Sequence, residues 1–109
     1  MRLVILESPY KGEVERNVAY ARRCVRDCLM RGESPLASHL LFTQAGVLDD
    51  SNEVERELGI AAGLAWGAVA SGTVVYIDHG ISGGMRLGIR DAERHGRTID
   101  YRKLEPSNV

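Results

Sequence analysis

The sequence has no long apolar run, and this absence predicts that the chain has no membrane-spanning helix. No uninterrupted apolar stretch approaches the roughly 20 residues that a helix needs to cross a bilayer. The opening residues, "MRLVILESPY", become polar too early for a secretory signal peptide. We therefore expect a cytoplasmic protein without a membrane partner.

An excess of basic residues is also absent. The chain carries 14 Lys and Arg against 15 Asp and Glu, which gives a formal net charge of -1. Non-specific binding to duplex nucleic acid depends on neutralising many phosphates with basic side chains. Duplex nucleic acid is therefore not an expected partner.

Cysteine is scarce, with Cys24 and Cys28 as the only two. They lie four residues apart on a predicted helix, without the further Cys or His residues that a zinc site needs. This favours two reduced thiols packed at the helix edge. We expect neither a metal nor a cofactor.

The length of 109 residues and the 44% content of hydrophobic residues indicate an ordinary globular chain. This length suffices for one compact domain with a modest core, and not for separate catalytic and substrate domains. We therefore treat residues 1–109 as a single domain, in which only the terminal "EPSNV" is expected to fray.

Hydrophobic patterning divides the chain into alternating strands and helices. Strands are predicted at residues 2–7, around 36–39, at 73–78 and at 98–104. Helices are predicted from Glu13 to about Leu29, after a cap at Asp50 or Ser51, and from a cap at Ser82 to Gly96. This alternation predicts an α/β fold with a mainly parallel four-stranded sheet and helices on both faces.

Polar side chains and glycines follow three of the predicted strands, where open α/β sheets bind their ligands. The candidate catalytic residues are Glu7, His39 and Asp78. The candidate ligand-binding residues are Ser8, Tyr10, Ser38, Gly80, Ser82, Gly83, Gly84 and Met85. The glycines allow close approach to the N-terminus of the last helix, whose free N–H groups favour an anion such as a phosphate.

Each of these residues also has a purely structural interpretation. His39 is either a general acid or base, because histidine titrates near neutrality, or a strand-end residue satisfied by backbone groups. Asp78 either binds a ribose hydroxyl or caps the following helix. Tyr10 either stacks on a base or packs on the protein surface. The repeated Gly59, Gly63 and Gly67 favour close packing on the sheet or on a second subunit.

Four stretches together resemble the nucleoside 2-deoxyribosyltransferase-like superfamily, in particular its small members from phages and bacteria. They are "ESPYKGEVERNVAYAR", "SHLLFTQ", "ERELGIAAGLAW" and "DHGISGGMRLGIRDAERHGRTIDYR". The most specific motif is G-I-S-x-G-M, and the Ser-Pro-Tyr after the first strand supports it. The resemblance implies a Rossmann-like three-layer sandwich, a pocket for a nucleoside or nucleotide, and a homo-oligomer in which a neighbour can complete the pocket.

The activity of this superfamily depends on a glutamate that the chain lacks at the expected position. The resemblance implies a pattern G-T-x-x-E or G-M-x-x-E, whose Glu attacks the anomeric carbon. A carboxylate suits this step because it stabilises an oxocarbenium-like transition state and forms the covalent intermediate. Alignment of Gly84 and Met85 with the pattern places Gly88 at the position of that Glu. A relocated carboxylate, such as Glu7, Asp78 or one of Glu53, Glu55 and Glu57, would have to replace it.

Three hypotheses for the function remain open at this stage. The first is an enzyme that cleaves or transfers the bond between base and sugar. The second is a non-catalytic protein that senses or sequesters a nucleotide signal, with Gly88 leaving space for it. The third is an interaction module that has kept the fold and lost the pocket. The fate of an added ligand separates them, because an enzyme releases free base, a binder returns its ligand intact and a module has no affinity.

Overall fold

A parallel sheet of four strands, in the order β2-β1-β3-β4, forms the centre of the molecule, which a computed structural model describes over residues 1–105. The strands are β1 (Arg2–Glu7), β2 (Glu33–Leu36), β3 (Gly72–Tyr76) and β4 (Thr98–Arg102). The helices are α1 (Val14–Met30), α2 (Ser38–Leu41), α3 (Glu53–Trp66) and α4 (Gly83–Arg94). The predicted α/β class and four-stranded sheet are confirmed, and every strand pair is parallel. Of the residues predicted to fray, 106–109 lie outside the described residues, whereas Glu105 is held by a hydrogen bond from its backbone N–H to Asp78.

The two central strands, β1 and β3, explain why the sheet is stable. A parallel strand covered on both faces buries successive side chains, so a continuous apolar run suits it. All five residues of β3 are buried, and in β1 Val4, Ile5 and Leu6 are buried. The edge strands β2 and β4 carry more polar sequence, because only one neighbour pairs with each of them.

One face of the sheet packs against α1. Side chains alternate between the two faces along a strand, and Val4, Leu6, Val74 and Tyr76 share the same face. They form a core cluster with Tyr20, Cys24 and Cys28 of α1. Both cysteines are free thiols in this cluster, inside the core rather than at the helix edge. We call this side of the sheet the α1 face.

The opposite side of the sheet, which we call the α4 face, carries Ile5 and Glu7 from β1. Gly88 of α4 lies against the Glu7 side chain, which places α4 on this side. Helices α2 and α3 pack against each other, and Gly63 of α3 approaches the hydroxyl of Ser38 closely. Close packing at Gly63 is therefore made with α2 rather than with the sheet or a second subunit.

Several predicted boundaries are wrong in detail. The second strand covers Glu33–Leu36 instead of 36–39, so Ser38 and His39 lie on the short helix α2. Pro35 explains part of this difference, because an edge strand tolerates a proline that a central strand would exclude. Asn52, rather than Asp50 or Ser51, caps α3 by accepting a hydrogen bond from the Glu55 N–H.

The third and fourth strands are also shorter than predicted. β3 ends at Tyr76, two residues before Asp78, and β4 ends at Arg102. Ser82 caps α4 as predicted and accepts a hydrogen bond from the Met85 N–H. Within residues 1–105, no helix combines the length and the apolar character needed to span a bilayer.

Candidate functional site

A cavity of about 440 Å³ lies beyond the carboxyl end of β1, between helices α2, α3 and α4. A volume of this size falls in the range that holds a small organic ligand. The structure brings most of the predicted site residues to its wall. These are Glu7, Ser8, Tyr10, Ser38, His39, Ser82, Gly83, Gly84 and Met85. Asp78 and Gly80 do not line it.

Five of the apolar side chains that line this cavity were not predicted from the sequence. They are Phe42, Leu48, Ile60, Leu64 and Leu87, and we call them the apolar wall. These side chains come from the end of α2, the following loop, α3 and α4, so only the tertiary arrangement brings them together. The cavity thus combines an apolar wall with a few polar groups, as small-molecule sites usually do.

Glu7 is the carboxylate with the most unusual environment in this cavity. It is the last residue of β1, and its side chain fills the space beside Gly88. A Cβ added at Gly88 would overlap the carboxyl group of Glu7. The residue that stands where the superfamily pattern has its Glu is therefore a glycine that leaves room for the carboxyl group of Glu7.

Burial raises the pKa of Glu7 to about 8, against the opposing charge of Arg97 and with a further contribution from Asp91. A donated hydrogen bond would favour the charged form of this carboxyl group. No residue within 1–105 donates one to it. Glu7 is therefore mostly protonated at neutral pH in this structure. Strongly shifted carboxyl groups of this kind are concentrated at functional sites.

Asp91 and Arg97 form a buried ion pair in the wall next to Glu7. Arg97 Nη2 donates to Asp91 Oδ2 at 2.6 Å, and only 8% and 10% of the two side chains are exposed. Arg97 Nη1 also donates to the Gly67 carbonyl. Because Arg97 already neutralises Asp91, its charge only partly offsets a second carboxylate at Glu7.

Ser8 and His39 form a second polar pair in the cavity. Ser8 Oγ and His39 Nε2 are 2.6 Å apart, and Ser8 is 4% exposed. Burial lowers the pKa of His39 to about 4, so its imidazole ring is neutral at physiological pH. His39 therefore does not supply the imidazolium that a general acid requires at neutral pH.

The N-terminus of α4 forms the third polar side of the cavity. Ser82 accepts from the Met85 N–H, and a Cβ at Gly83 or Gly84 would meet no atom within 4 Å. The first turn of a helix leaves N–H groups without intrahelical partners. Gly83 and Gly84 thus present open backbone to the cavity, whereas Gly80 forms a left-handed turn with φ of 83° outside it.

Asp78 lies on the other side of the sheet, among groups that hold the chain together. It accepts hydrogen bonds from the Tyr20 hydroxyl and from the backbone N–H groups of Leu104 and Glu105. Burial opposes ionisation, but these donors keep the pKa of Asp78 below its usual value. The structural role of Asp78 is thus to fasten the segment after β4 to α1.

The remaining candidate carboxylates are distributed unevenly. Glu55 lines the mouth of the cavity and accepts from the Asp49 N–H at 3.2 Å. Glu53 and Glu57 do not line it. The described residues 1–105 contain no group of three or more His, Cys, Asp or Glu side chains arranged to hold a metal ion.

Comparisons with known proteins place this fold and leave the activity open. Residues 2–102 match the model of a family described as a domain of unknown function, DUF7768. No curated protein matches the sequence. Among solved structures, the fold is similar to a 2-deoxyribosyltransferase from Bacillus psychrosaccharolyticus, with a TM-score of 0.65 and 16% identity over 98% of this chain and 76% of that one. The chain thus has a nucleoside 2-deoxyribosyltransferase-like fold.

Proposed function

We propose that this chain, which belongs to the DUF7768 family, is a nucleoside- or nucleotide-processing enzyme that cleaves or transfers the N-glycosidic bond. The observation that carries the proposal is that the carboxyl group of Glu7 lies beside the position where the superfamily pattern has its Glu. Gly88 stands at the place of the expected Glu, and the Glu7 carboxyl group fills the room beside it. The likeness to a 2-deoxyribosyltransferase supports a nucleoside as the ligand.

The proposed reaction uses the ionised form of Glu7. A Glu7 oxygen forms a bond to the anomeric carbon while the bond from that carbon to the base nitrogen breaks and its electron pair leaves with the base. The positive charge that develops on the sugar stabilises the carboxylate, so an occupied site favours ionisation more than the empty one. Water, an alcohol or an acceptor base then releases the sugar from Glu7.

The cavity supports placing the two parts of a nucleoside on different walls. The apolar side chains of Phe42, Leu48 and Ile60 suit the face of a base. Glu7 and the open backbone at Gly83 and Gly84 suit the sugar and a phosphate attached to it. We therefore include both nucleosides and nucleotides in the proposed ligand class.

The test is incubation of the purified protein with a panel of nucleosides, deoxynucleosides and nucleotides, followed by chromatography for free base. Glu7→Gln should lower base release by roughly 1000-fold, because the amide cannot form the covalent bond. Gly88→Ala should also lower it, because the added Cβ displaces the Glu7 carboxyl group. Glu93→Gln, an exposed change on the same helix, is the matched control and should leave release unchanged.

A non-catalytic nucleotide binder is the second candidate, and the protonation of Glu7 favours it. A carboxyl group with a pKa of about 8 is a hydrogen-bond donor at neutral pH, and a donor can bind a ligand without attacking it. Recovery of intact ligand with the protein, and no free base, would establish this function instead. The third hypothesis, an interaction module without a pocket, predicts no affinity, and the size of the cavity argues against it.

Self-association is part of the proposal, as the resemblance implies. Helix α3 supports it because it exposes the apolar side chains of Val54, Leu58 and Trp66 to solvent. Exposed apolar patches often mark protein interfaces. Sedimentation velocity measures this property directly, and a species of one 12.0 kDa chain at micromolar concentration would contradict it.

A further inference from the structure

The polar groups that line the cavity differ in whether they already have a hydrogen-bond or ion-pair partner. Arg97 neutralises Asp91, and the Asp49 N–H engages Glu55. Glu7 is assigned to the sugar by the proposed function. Ser8 and His39 are bound only to each other through their side-chain polar atoms, among the residues 1–105 that the structure describes. This pair therefore remains available for a second task in the same cavity.

The short contact between Ser8 Oγ and His39 Nε2 has a chemical consequence. A neutral imidazole has one ring nitrogen that accepts a proton and one that donates. When Nε2 accepts, the Ser8 hydroxyl donates to it over 2.6 Å, and the lone pairs of Oγ remain free to accept from a ligand. This arrangement forms a path for a proton from the cavity to the ring.

The two-step reaction proposed for Glu7 needs such a path only in its second half. An incoming water or alcohol must lose a proton as it attacks the anomeric carbon, whereas the first half requires no proton acceptor for the attack by Glu7. Glu7 itself cannot accept this proton while it is esterified. Another group in the cavity has to do so.

We propose that Ser8 and His39 act as the relay that deprotonates the water or alcohol in the step that releases the sugar from Glu7. This inference rests on the proposed function. The new bond joins the attacking oxygen to the anomeric carbon, and the bond from that carbon to the Glu7 oxygen breaks, with its electron pair retained by the carboxylate. The proton of the attacking group passes to Ser8 Oγ while the Ser8 proton passes to His39 Nε2.

The returning negative charge on Glu7 assists this transfer. Burial alone makes the imidazolium of His39 unfavourable, since it lowers the pKa of the ring to about 4. A carboxylate that forms in the same cavity stabilises a positive charge, so the basicity of the ring rises as the ester breaks. The other charged groups lining the cavity are Lys11, the Arg56–Asp50 pair, Glu55 and the Asp91–Arg97 pair.

The experiment follows base release and the covalent adduct together in rapid-quench reactions. The substrate is the member of the nucleoside panel from which the wild-type protein releases base fastest. His39→Gln keeps a side chain of similar size that cannot take up a proton, and Ser8→Ala removes the relay oxygen. We expect both variants to show a burst of about one base per protein, followed by turnover lowered roughly 100-fold. Intact-protein mass should then show the sugar attached to Glu7.

Added azide provides a readout that a merely structural role would not change. Azide attacks as an anion and needs no deprotonation, so it should restore sugar release in His39→Gln and Ser8→Ala. His79→Gln is the matched control, because His79 stacks on Tyr20 at 4.2 Å on the α1 face, and it should behave as wild type. Thermal melts of all variants identify any that fail to fold, and either relay variant alone suffices for the measurement.

The outcomes distinguish this inference from the proposed function. A burst with an accumulating adduct and rescue by azide supports the relay. Loss of the burst and of turnover by the same factor, or unchanged turnover, in a folded relay variant overturns the relay alone. No base release by the wild-type protein overturns the proposed function, and the relay is rejected with it.

Discussion

The two faces of the sheet differ in whether they hold neutral ionisable groups beside their ion pairs. On the α1 face, Glu33 is paired with Arg102 by two hydrogen bonds of 2.7 Å, and Asp78 accepts from Tyr20 and from backbone N–H groups. On the α4 face, Glu7 has a raised pKa and His39 a lowered one, both because of burial. The carboxylates of the α1 face are thus paired, whereas the α4 face holds two neutral groups, Glu7 and His39, beside the paired Asp91 and Arg97.

This difference separates stabilising groups from reactive ones. A buried charge that is fully paired contributes a fixed geometry, and removal of its partner is costly. A buried group held in its less common protonation state destabilises the fold and gains reactivity, which is the pattern found at active sites. We therefore assign the ionised groups of the α1 face to the stability of the fold, and Glu7 and His39 on the α4 face to the candidate site.

Removal of a charge from the α1 face should produce the largest loss of stability. Glu33→Gln removes the carboxylate that accepts both short hydrogen bonds of the Arg102 guanidinium, which is only 10% exposed, and leaves the longer contact of 3.5 Å to Asp100. Breaking a buried pair in this way costs about 3 kcal/mol in the free energy of unfolding. Urea denaturation measures it, and ligand binding in the folded fraction should not change.

The control for Glu33 is the exposed pair of Glu13 and Arg16, whose side chains are 71% and 61% exposed. Glu13→Gln should cost less than about 0.5 kcal/mol, because solvent screens such a pair. Equal effects of Glu13→Gln and Glu33→Gln would contradict the assignment of Glu33 to a stabilising network.

A smaller loss of stability is expected at Asp78, which sequence reasoning placed among the catalytic residues. Asp78→Ala should lower the free energy of unfolding by about 2 kcal/mol, because the Tyr20 hydroxyl and two backbone N–H groups lose their acceptor. Tyr20→Phe, which removes one donor of the same group, should cost less. A loss of ligand affinity in folded Asp78→Ala would place this carboxylate in the site after all.

The face of the sheet on which Asp78 lies is predictable from the alternation of side chains along a strand. Side chains alternate along a strand, so Asp78 shares its face with Val74 and Tyr76, while Glu7 shares the opposite face with Ile5. Because Glu7 and Asp78 both stand at the ends of predicted strands, we expected them at the same edge of the sheet. The alternation of side chains along each strand places them on opposite faces of it.

The strands were predictable from the sequence where they are most deeply buried, and the alternation of strands and helices predicted that they run parallel. β1 and β3 were found because continuous apolar runs mark buried central strands. β2 was misplaced because it has four residues, "ESPL", with one apolar side chain among them. The helical turn that carries His39 is equally short, and the apolar wall around Phe42 and Ile60 arises from three separate segments. No local pattern records such an arrangement.

The pH dependence of stability distinguishes Glu7 from the other shifted groups by its sign. The folded pKa of Glu7, about 8, lies above its ordinary value of 4.5, so the unfolded chain releases this proton at lower pH than the folded chain does. Glu7 therefore lowers the free energy of unfolding as pH rises from 4.5 towards 8, by about 1.4 kcal/mol for each pH unit.

Glu33 and Asp78 act in the opposite direction, because their pKa values are lowered in the fold. Their stabilisation is present above the ordinary carboxyl pKa and is lost as pH falls through the folded values. His39 also makes the protein less stable in acid, as pH falls from 6.5 towards 4, because in this range only the unfolded chain protonates this histidine. Glu7→Gln should thus remove the loss on the alkaline side and leave the acid limb unchanged. Urea denaturation of wild type and Glu7→Gln across this range measures both limbs, and parallel curves above pH 6 would show that Glu7 titrates as an ordinary exposed carboxyl group.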